Sequence, residues 1–315
     1  MDVNTKKLKK NAFRVTKVRN KTAARIRVPG GHLAVQYLDV IKRIAEEYGN
    51  GTVHITTRQG FEIPGIEIDK MAEVNTVLQP IIAGLGINQL SPHTGYPAAG
   101  TRNVSACIGS RVCQFANYDT TAFARRIEQA IFPNDYHVKI ALTGCPNDCI
   151  KARMHDFGII GMNEPQYEAY RCIGCQACMV NCKKRAAGAL KLENYKIVHD
   201  KEKCIGCGEC VLKCPSGAWT RSLNKRYLLV IMGRTGKRDP RIAQPFIKWV
   251  DEESIIKIIK NTYAYIDQYI DKDSPDGKEH IGYIVDRTGY QVFKEWALRD
   301  VTLNSEAQVA EYINW

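Results

Sequence analysis

No stretch of about 18 consecutive apolar residues, the length that spans a bilayer as a helix, occurs in the 315 residues. The first ten, Met1 to Lys10, are charged and lack the apolar core of a secretion signal. A cytoplasmic location with no membrane contact is therefore expected. No G-x-G-x-x-G run is present, which excludes the usual strand-turn-helix cradle for a dinucleotide. Low-complexity tracts are missing too, and no cysteine is left over by pattern. The twelve fall at 107, 113, 145 and 149, then 172, 175, 178 and 182, then 204, 207, 210 and 214. In a reducing compartment disulfides are not expected, and three groups of four point to metal.

Cys172-x2-Cys175-x2-Cys178-x3-Cys182 and Cys204-x2-Cys207-x2-Cys210-x3-Cys214 have the spacing of four-iron cluster runs. The short steps bring three thiolates onto one cubane face, and the last Cys of each run reaches the other cluster. One cluster is thus expected on Cys172, Cys175, Cys178 and Cys214, the other on Cys204, Cys207, Cys210 and Cys182. Gly174, Gly206 and Gly208 let backbone N–H groups turn toward the sulfides. Pro215 follows the second run, whereas Lys183 stands at the equivalent place in the first. Two zinc sites would instead join Cys-x2-Cys couples over longer gaps. Cys107-x5-Cys113 and Cys145-x3-Cys149 are less generic, and their spacing alone also suits buried thiols.

Residues 1–20 are basic and read as a surface segment. Ala23–Val28 reads as a strand ended by Pro29-Gly30-Gly31. Ala34, Leu38, Ile41, Ala45 and Tyr48 then recur at helical spacing, stopped by Gly49-Asn50-Gly51. Thr52–Arg58 and Phe61–Ile66 read as strands, and Asp69–Leu85 as an amphipathic helix. Tyr227–Met232 reads as a strand. Glu252–Ile270 reads as a long helix with Asp251 as its N-cap. On a strand, residues two apart share a face. Arg25 and Arg27 therefore project together, opposite Ile26 and Val28. His54, Thr56 and Arg58 share a face opposite Val53 and Ile55, and His137 shares one with Lys139. Any single strand of this kind suits a half-solvated sheet; three beside a cysteine motif suggest an anion cavity.

Cys145 lies in Thr143-Gly144-Cys145-Pro146-Asn147-Asp148-Cys149. Together with Cys107-x5-Cys113 this segment resembles the siroheme sulfite and nitrite reductases. So do Arg25-Ile26-Arg27-Val28-Pro29-Gly30-Gly31, Thr57-Arg58-Gln59, Thr101-Arg102-Asn103-Val104 and His137-Val138-Lys139. The resemblance covers nearly the whole chain and implies an α+β fold. Residues 1–92 would be a ferredoxin-like half domain. Residues 93–165 and 220–315 would be a siroheme and [4Fe-4S] domain, interrupted at 166–219 by a bacterial two-cluster ferredoxin domain. The implied cofactors are one siroheme and three [4Fe-4S] clusters. The third cluster would lie on Cys107, Cys113, Cys145 and Cys149, with Cys149 also bridging to the siroheme iron. Arg25, Arg102 and Lys139 would hold sulfite oxygens with His137 beside them. Several family members carry lysine at the His137 position; a histidine of ordinary pKa, about 6.5, would relay protons near neutrality. Arg27, Arg58 and the loop cations Arg234, Lys237, Arg238 and Arg241 would meet siroheme carboxylates, although a charge run of this kind also suits a solvated loop.

The formal charge of +12 invites a nucleic-acid reading. Three clusters at roughly −2 each would lower it to about +6, and the eight carboxylates of siroheme would absorb the rest, so no nucleic-acid partner is expected. The implied function is the catalytic subunit of a sulfite reductase. Electrons would enter the ferredoxin clusters, pass to the third cluster and reach siroheme through Cys149. Nitrite reduction on the same scaffold, or electron transfer without catalysis, are the alternatives. The resemblance further implies a flavin-binding, NADH-oxidising subunit and an iron–sulfur subunit as partners. One half domain cannot enclose a macrocycle by itself, so a homodimer of this chain is expected.

Overall fold

The computed structural model describes residues 8, 11–89, 95–236, 238–274 and 279–314. The first layer is a four-stranded antiparallel sheet of β1 (Phe13–Val15), β2 (Lys21–Ile26), β3 (His54–Ile55) and β4 (Phe61–Glu67), in the order β1-β2-β4-β3. Helices α1 (Tyr37–Glu47) and α2 (Met71–Leu85) cover one face. Ile26, Ile41, Ile44, Ile63, Val74 and Leu78 form the core between sheet and helices. Helix α2 ends on Gly86, whose left-handed backbone lets its N–H return to the carbonyls of Ile82 and Ala83.

Three expectations change here. The N-terminal segment lies on the surface only in part: Arg14, Val15 and Lys17 to Asn20 are exposed, but Ala12 and Phe13 are fully buried and β1 pairs with β2, while residues 1–7, 9 and 10 lie outside the described residues. Helix α1 starts at Tyr37, after a turn at Ala34–Leu38, and Leu38 remains 47% exposed; Ile44 takes the buried place instead. Only His54 and Ile55 of the strand expected at Thr52–Arg58 pair with β4. The Thr56 hydroxyl accepts the N–H groups of Arg58 and Gly60, which bends the chain into a turn. Ile55, expected opposite a polar face, stands 71% exposed.

The second layer begins with β5 (Ser105–Ala106), α3 (Thr120–Ile131), β6 (Ile140–Thr143) and β7 (Phe157–Met162). Strands β5, β6 and β7 run parallel. Asp119 caps α3 by accepting the N–H of Ala122. The chain then leaves the sheet through β8 (Pro165–Tyr167), α4 (Ala177–Arg185), the hairpin β9 (Leu190–Glu193) and β10 (Lys196–His199), α5 (Glu209–Lys213) and β11 (Trp219–Arg221). Strands β8 and β11 pair antiparallel and close this excursion at its root. It returns as β12 (Arg226–Ile231), which lies antiparallel against β7. A tight hairpin could have joined the same two strands, so the excursion leaves the sheet undisturbed.

The sheet continues through β13 (Gln244–Val250). Helices α6 (Glu252–Tyr269), α7 (Ile281–Thr288) and α8 (Tyr290–Ala297) follow, and β14 (Gln308–Val309) forms the edge. Asp251 caps α6 by accepting the N–H of Ser254, and the helix buries Ile255, Ile259 and Ile266 on the sheet. Among the described residues, no helix is long and apolar enough to cross a membrane.

The motifs at 25–31, 57–59 and 101–104 stitch the two layers together. Gly30, at φ +76°, packs so closely on α3 that a Cβ would sit 2.9 Å from Thr121 Cα. The Gln59 amide grips both sides of Ala106, donating to its carbonyl at 2.7 Å and accepting its N–H at 2.8 Å. Asn103 donates to the carbonyls of Val28 and Arg58. Only backbone as bare as Gly30 and side chains as exact in reach as Gln59 and Asn103 let the layers approach this closely.

Candidate active site

A cavity of about 330 Å³ opens on the seam, lined by Arg25, His54, Thr56, Arg58, Glu62 and Arg102 among others. The cations divide by whether a carboxylate already holds them. Arg25 lies in β2, before buried Ile26. Its Nε and Nη2 donate to Glu62 Oε1 at 2.8 and 2.6 Å, and its Nη1 donates to the Ala98 carbonyl. Burial opposes the charge on Glu62, but Arg25 and Arg14 pull its pKa below the ordinary value.

Arg27 departs from the expected cofactor contact. Its side chain is 4% exposed and bound bidentately by Glu128 of α3, at 2.7 and 2.9 Å. Its Nη1 donates to the Thr101 carbonyl, and the guanidinium lies 3.8 Å over the Phe132 ring. With its charge matched by Glu128 and its side chain buried, this fork is an internal bolt between the end of β2 and α3.

Arg58, Arg102 and Lys139 are different. Among the described residues no carboxylate closes on any of them, and Arg58 Nη1 is buried without a hydrogen-bond partner. Burial, reinforced by Arg102 and Arg27, pushes Arg58 down to about 10. Burial, then Arg25 and Arg27, pushes Arg102 down to about 10 as well. Lys139 is lowered by burial and by Arg58 and Arg102, with Asp156 opposing. Like charges gathered out of water are costly unless an anion joins them.

His137 shares this neighbourhood but not the expected titration. Burial first, then Arg102, brings its pKa down to about 3, against the opposing pull of Asp156. The ring is neutral at working pH, so the near-neutral relay expected from an ordinary histidine is corrected. His155 is lowered too, by burial and Arg58.

The loop after β12 is also more closed than its charge suggests. Arg234 and Arg241 face each other across a β-bridge and both bind Asp286. Arg234 also donates to the Asp239 carbonyl and stacks 4.2 Å over Tyr283. These two arginines anchor the loop to α7, which corrects their expected role toward a cofactor. Arg238, 80% exposed, pairs with its neighbour Asp239. Lys237 lies outside the described residues.

The twelve thiols gather as three sets. Cys145 stands within electrostatic reach of Cys113, Cys107 and Cys149. Cys107 Sγ accepts the Gly144 N–H at 3.1 Å, and Cys149 is exposed at the end of the turn. Cys178 is close to Cys214 and Cys175, and Cys172 to Cys214. Cys182, Cys204, Cys207 and Cys210 together line one small cavity. Both runs turn alike: Gly174 and Gly206 share left-handed backbone, as do Gln176 and Gly208. Gly206 N–H donates to Cys204 Sγ, and Ala218 N–H to Cys214 Sγ. Among the described residues no three metal-ligating side chains close on a single ion. Thiolates on a four-iron cubane each bind a separate iron, and sets of four cysteines suit that donor pattern.

Sequence reasoning missed Glu62, Glu128 and Asp286, the carboxylates that hold Arg25, Arg27, Arg234 and Arg241, and Asp156, which among the described residues pairs with none of these cations. Each meets its partner across a long loop, and nothing in its immediate sequence sets it apart from an ordinary acidic residue.

Fold and site together define a class. Residues 98–304 match the nitrite and sulphite reductase 4Fe-4S domain, and residues 16–81 match the nitrite/sulfite reductase ferredoxin-like half domain. The chain belongs to the nitrite and sulphite reductase family, a family of oxidoreductases. Among particular proteins, it is 44% identical over 314 residues to a subunit of the anaerobic sulfite reductase of Salmonella typhimurium, covering 97% of this chain and 92% of that one. It is 33% identical over 272 residues to the coenzyme F420-dependent sulfite reductase of Methanocaldococcus jannaschii, covering 85% of this chain and 40% of that one. The fold superposes on the crystal structure of dissimilatory sulfite reductase I with a TM-score of 0.67 at 17% identity, over 94% of this chain and 73% of that one.

Proposed function

We propose that this chain is the siroheme-binding catalytic subunit of a cytoplasmic sulfite reductase that makes sulfide. The observation that carries the reading is the trio Arg58, Arg102 and Lys139, half-buried cations with no carboxylate on them among the described residues, beside a cysteine quartet. Gln59, next to Arg58, grips Ala106, the residue before Cys107, so the anion site and the quartet share one rigid seam.

Three [4Fe-4S] clusters would be held by Cys107, Cys113, Cys145 and Cys149; by Cys172, Cys175, Cys178 and Cys214; and by Cys182, Cys204, Cys207 and Cys210. Siroheme would lie at the exposed Cys149, its carboxylates toward Arg58 and Arg238. When bound, these groups would relay electrons from an external donor and supply the iron chemistry that takes sulfite sulfur from +4 to −2. The protein's part is electrostatic. Arg102 and Lys139 hold the dianion's oxygens and stabilise charge that grows there as S–O bonds break. Arg25 joins them with whatever donors Glu62 leaves it. Neutral His137 offers a hydrogen bond, not a second charge.

Flavin and iron–sulfur subunits of one complex would deliver electrons to the 165–221 excursion. A second copy of this chain would cover the exposed Val53 and Ile55, which flank the cavity residues His54 and Thr56. Anaerobically purified protein is expected to carry about thirteen iron, twelve in clusters, with siroheme absorption, and to form sulfide from sulfite with an artificial donor. About eight iron without haem-like absorption overturns the reading. Turnover of nitrite but not sulfite moves the proposal to nitrite reduction.

A further inference from the structure

Behind the cavity lies a carboxylate with no part yet in the chemistry. Asp156 is completely buried at the start of β7. Its Oδ2 accepts the backbone N–H of Lys139 at 2.8 Å, and its own carbonyl accepts the N–H of Met232 at 2.8 Å. Both β6 and β12 therefore fix it. Its Oδ1 lies 3.0 Å from His280 Nε2, and among the described residues neither atom has any other hydrogen-bond partner. The two are matched in distance but not in angle, and a small turn of the ring closes the bond.

The other nitrogen of His280 is committed. Nδ1 accepts the Gly282 N–H as the N-cap of α7. An imidazole that accepts at Nδ1 carries its proton on Nε2, so the cap aims an N–H donor at Asp156. The ring of His280 also stands edge-on to His137, 5.8 Å between centroids. One buried carboxylate thus sits among the groups of the anion wall. Asp156 supports the charged forms of Arg58, His137, Lys139 and His155 against their burial. Arg102 reaches the same cluster through His137 and Lys139, and Asp156 acts weakly on the phenol of Tyr263 in α6.

We infer that Asp156 is a positioning residue, aimed by the His280 cap, that holds the 137–139 segment and sets the charge of the anion wall. Its carboxylate favours the protonated form of Lys139 against burial. The same charge weakens the hold on an anion and so favours product release. An asparagine would keep the carbonyl that accepts from Lys139 N–H and lose only the charge. The inference deepens the sulfite reading, but its geometric part stands without it.

Two measurements test it. Ring ¹⁵N NMR of the full chain reads the His280 tautomer with no substrate involved. The Nε2–H form is expected, and a ring protonated at Nδ1 overturns the inference. Calorimetric binding of sulfite to the oxidised holoenzyme, from pH 7 to 10, tests the charge. Asp156→Asn is expected to bind sulfite roughly three- to tenfold tighter at pH 7 and to lose that affinity at lower pH than wild type, because Lys139 gives up its proton earlier. A uniformly weaker affinity with an unmoved pH dependence is the mark of a merely structural residue and overturns the inference. If wild type has the expected tautomer but binds no sulfite, the substrate reading falls and the same titration is run with nitrite, where the same shift is required.

Discussion

Arg102 stands half-buried with no carboxylate on its guanidinium among the described residues, whereas Arg25 is already held by Glu62. The two arginines are alike in sequence but not in consequence. Arg102→Ala is expected to lower kcat/KM for sulfite at least tenfold with cluster absorbance intact, since a charge-assisted hydrogen bond is worth roughly 1.5–3 kcal/mol. Arg25→Ala should cost less, because Glu62 and the Ala98 carbonyl already take three of its donors and Glu62 keeps Arg14 as a partner. Steady-state kinetics at low sulfite decides the order. His137 carries a second prediction. Its pKa is about 3 in the fold and about 6.5 in an unfolded chain. Between those values the unfolded state binds the proton and the folded state does not, so stability falls as pH drops from about 6.5 toward 3. His137→Gln is expected to flatten part of that fall, read as the unfolding midpoint of the chain against pH. Alternation in the sequence placed Arg25 and Arg27 on one side of a strand. It carried no sign of which would meet Glu62 and which Glu128, because those partners arrive 37 and 101 residues later.

At the scale of elements, periodicity was a good guide wherever a stretch buried one face against one neighbour. Helix α6 runs Glu252–Tyr269 from the Asp251 cap, as its apolar spacing and cap residue require. It was a poor guide at β3, where Thr56 draws the chain into a turn. The Pro29-Gly30-Gly31 segment illustrates the difference. It reads as a strand terminator, and its second role, as the contact surface for α3, exists only once α3 is folded against it. Gly30→Ala places a Cβ 2.9 Å from the Thr121 backbone at φ +76°. A cost of roughly 1–3 kcal/mol is expected, seen as a lower unfolding midpoint. Gly51→Ala, also at positive φ but with open space around it, should cost less than Gly30→Ala.

For the whole molecule, the exposed Ile55 and the open edge at β3 leave one side of the cavity uncovered. Exposed edges and apolar groups beside a cofactor site are normally covered, and closed two-fold dimers are the commonest means. Light scattering on the siroheme-loaded chain is expected to give a dimer. Ile55→Lys, which puts a charge at the centre of the proposed contact, should shift it toward monomer and lower siroheme occupancy. A monodisperse monomer with full siroheme and full activity from an artificial donor removes the dimer from the proposal.

The cysteine spacing by itself pointed to two four-iron runs and their crossed pairing, because thiolate geometry around a cubane is local and repeats within a dozen residues; Cys107, Cys113, Cys145 and Cys149 became a quartet only through the resemblance. The apolar periodicity determined the long helices, because each buries a single continuous face. Only the tertiary structure decided which cations remain free. Arg27, Arg234 and Arg241 look, in sequence, no different from Arg58 and Arg102. Folding brings Glu128 and Asp286 to the first three and, among the described residues, no carboxylate to the other two. A charge's use depends on its nearest opposite charge, and that neighbour is set by how the layers pack rather than by order along the chain.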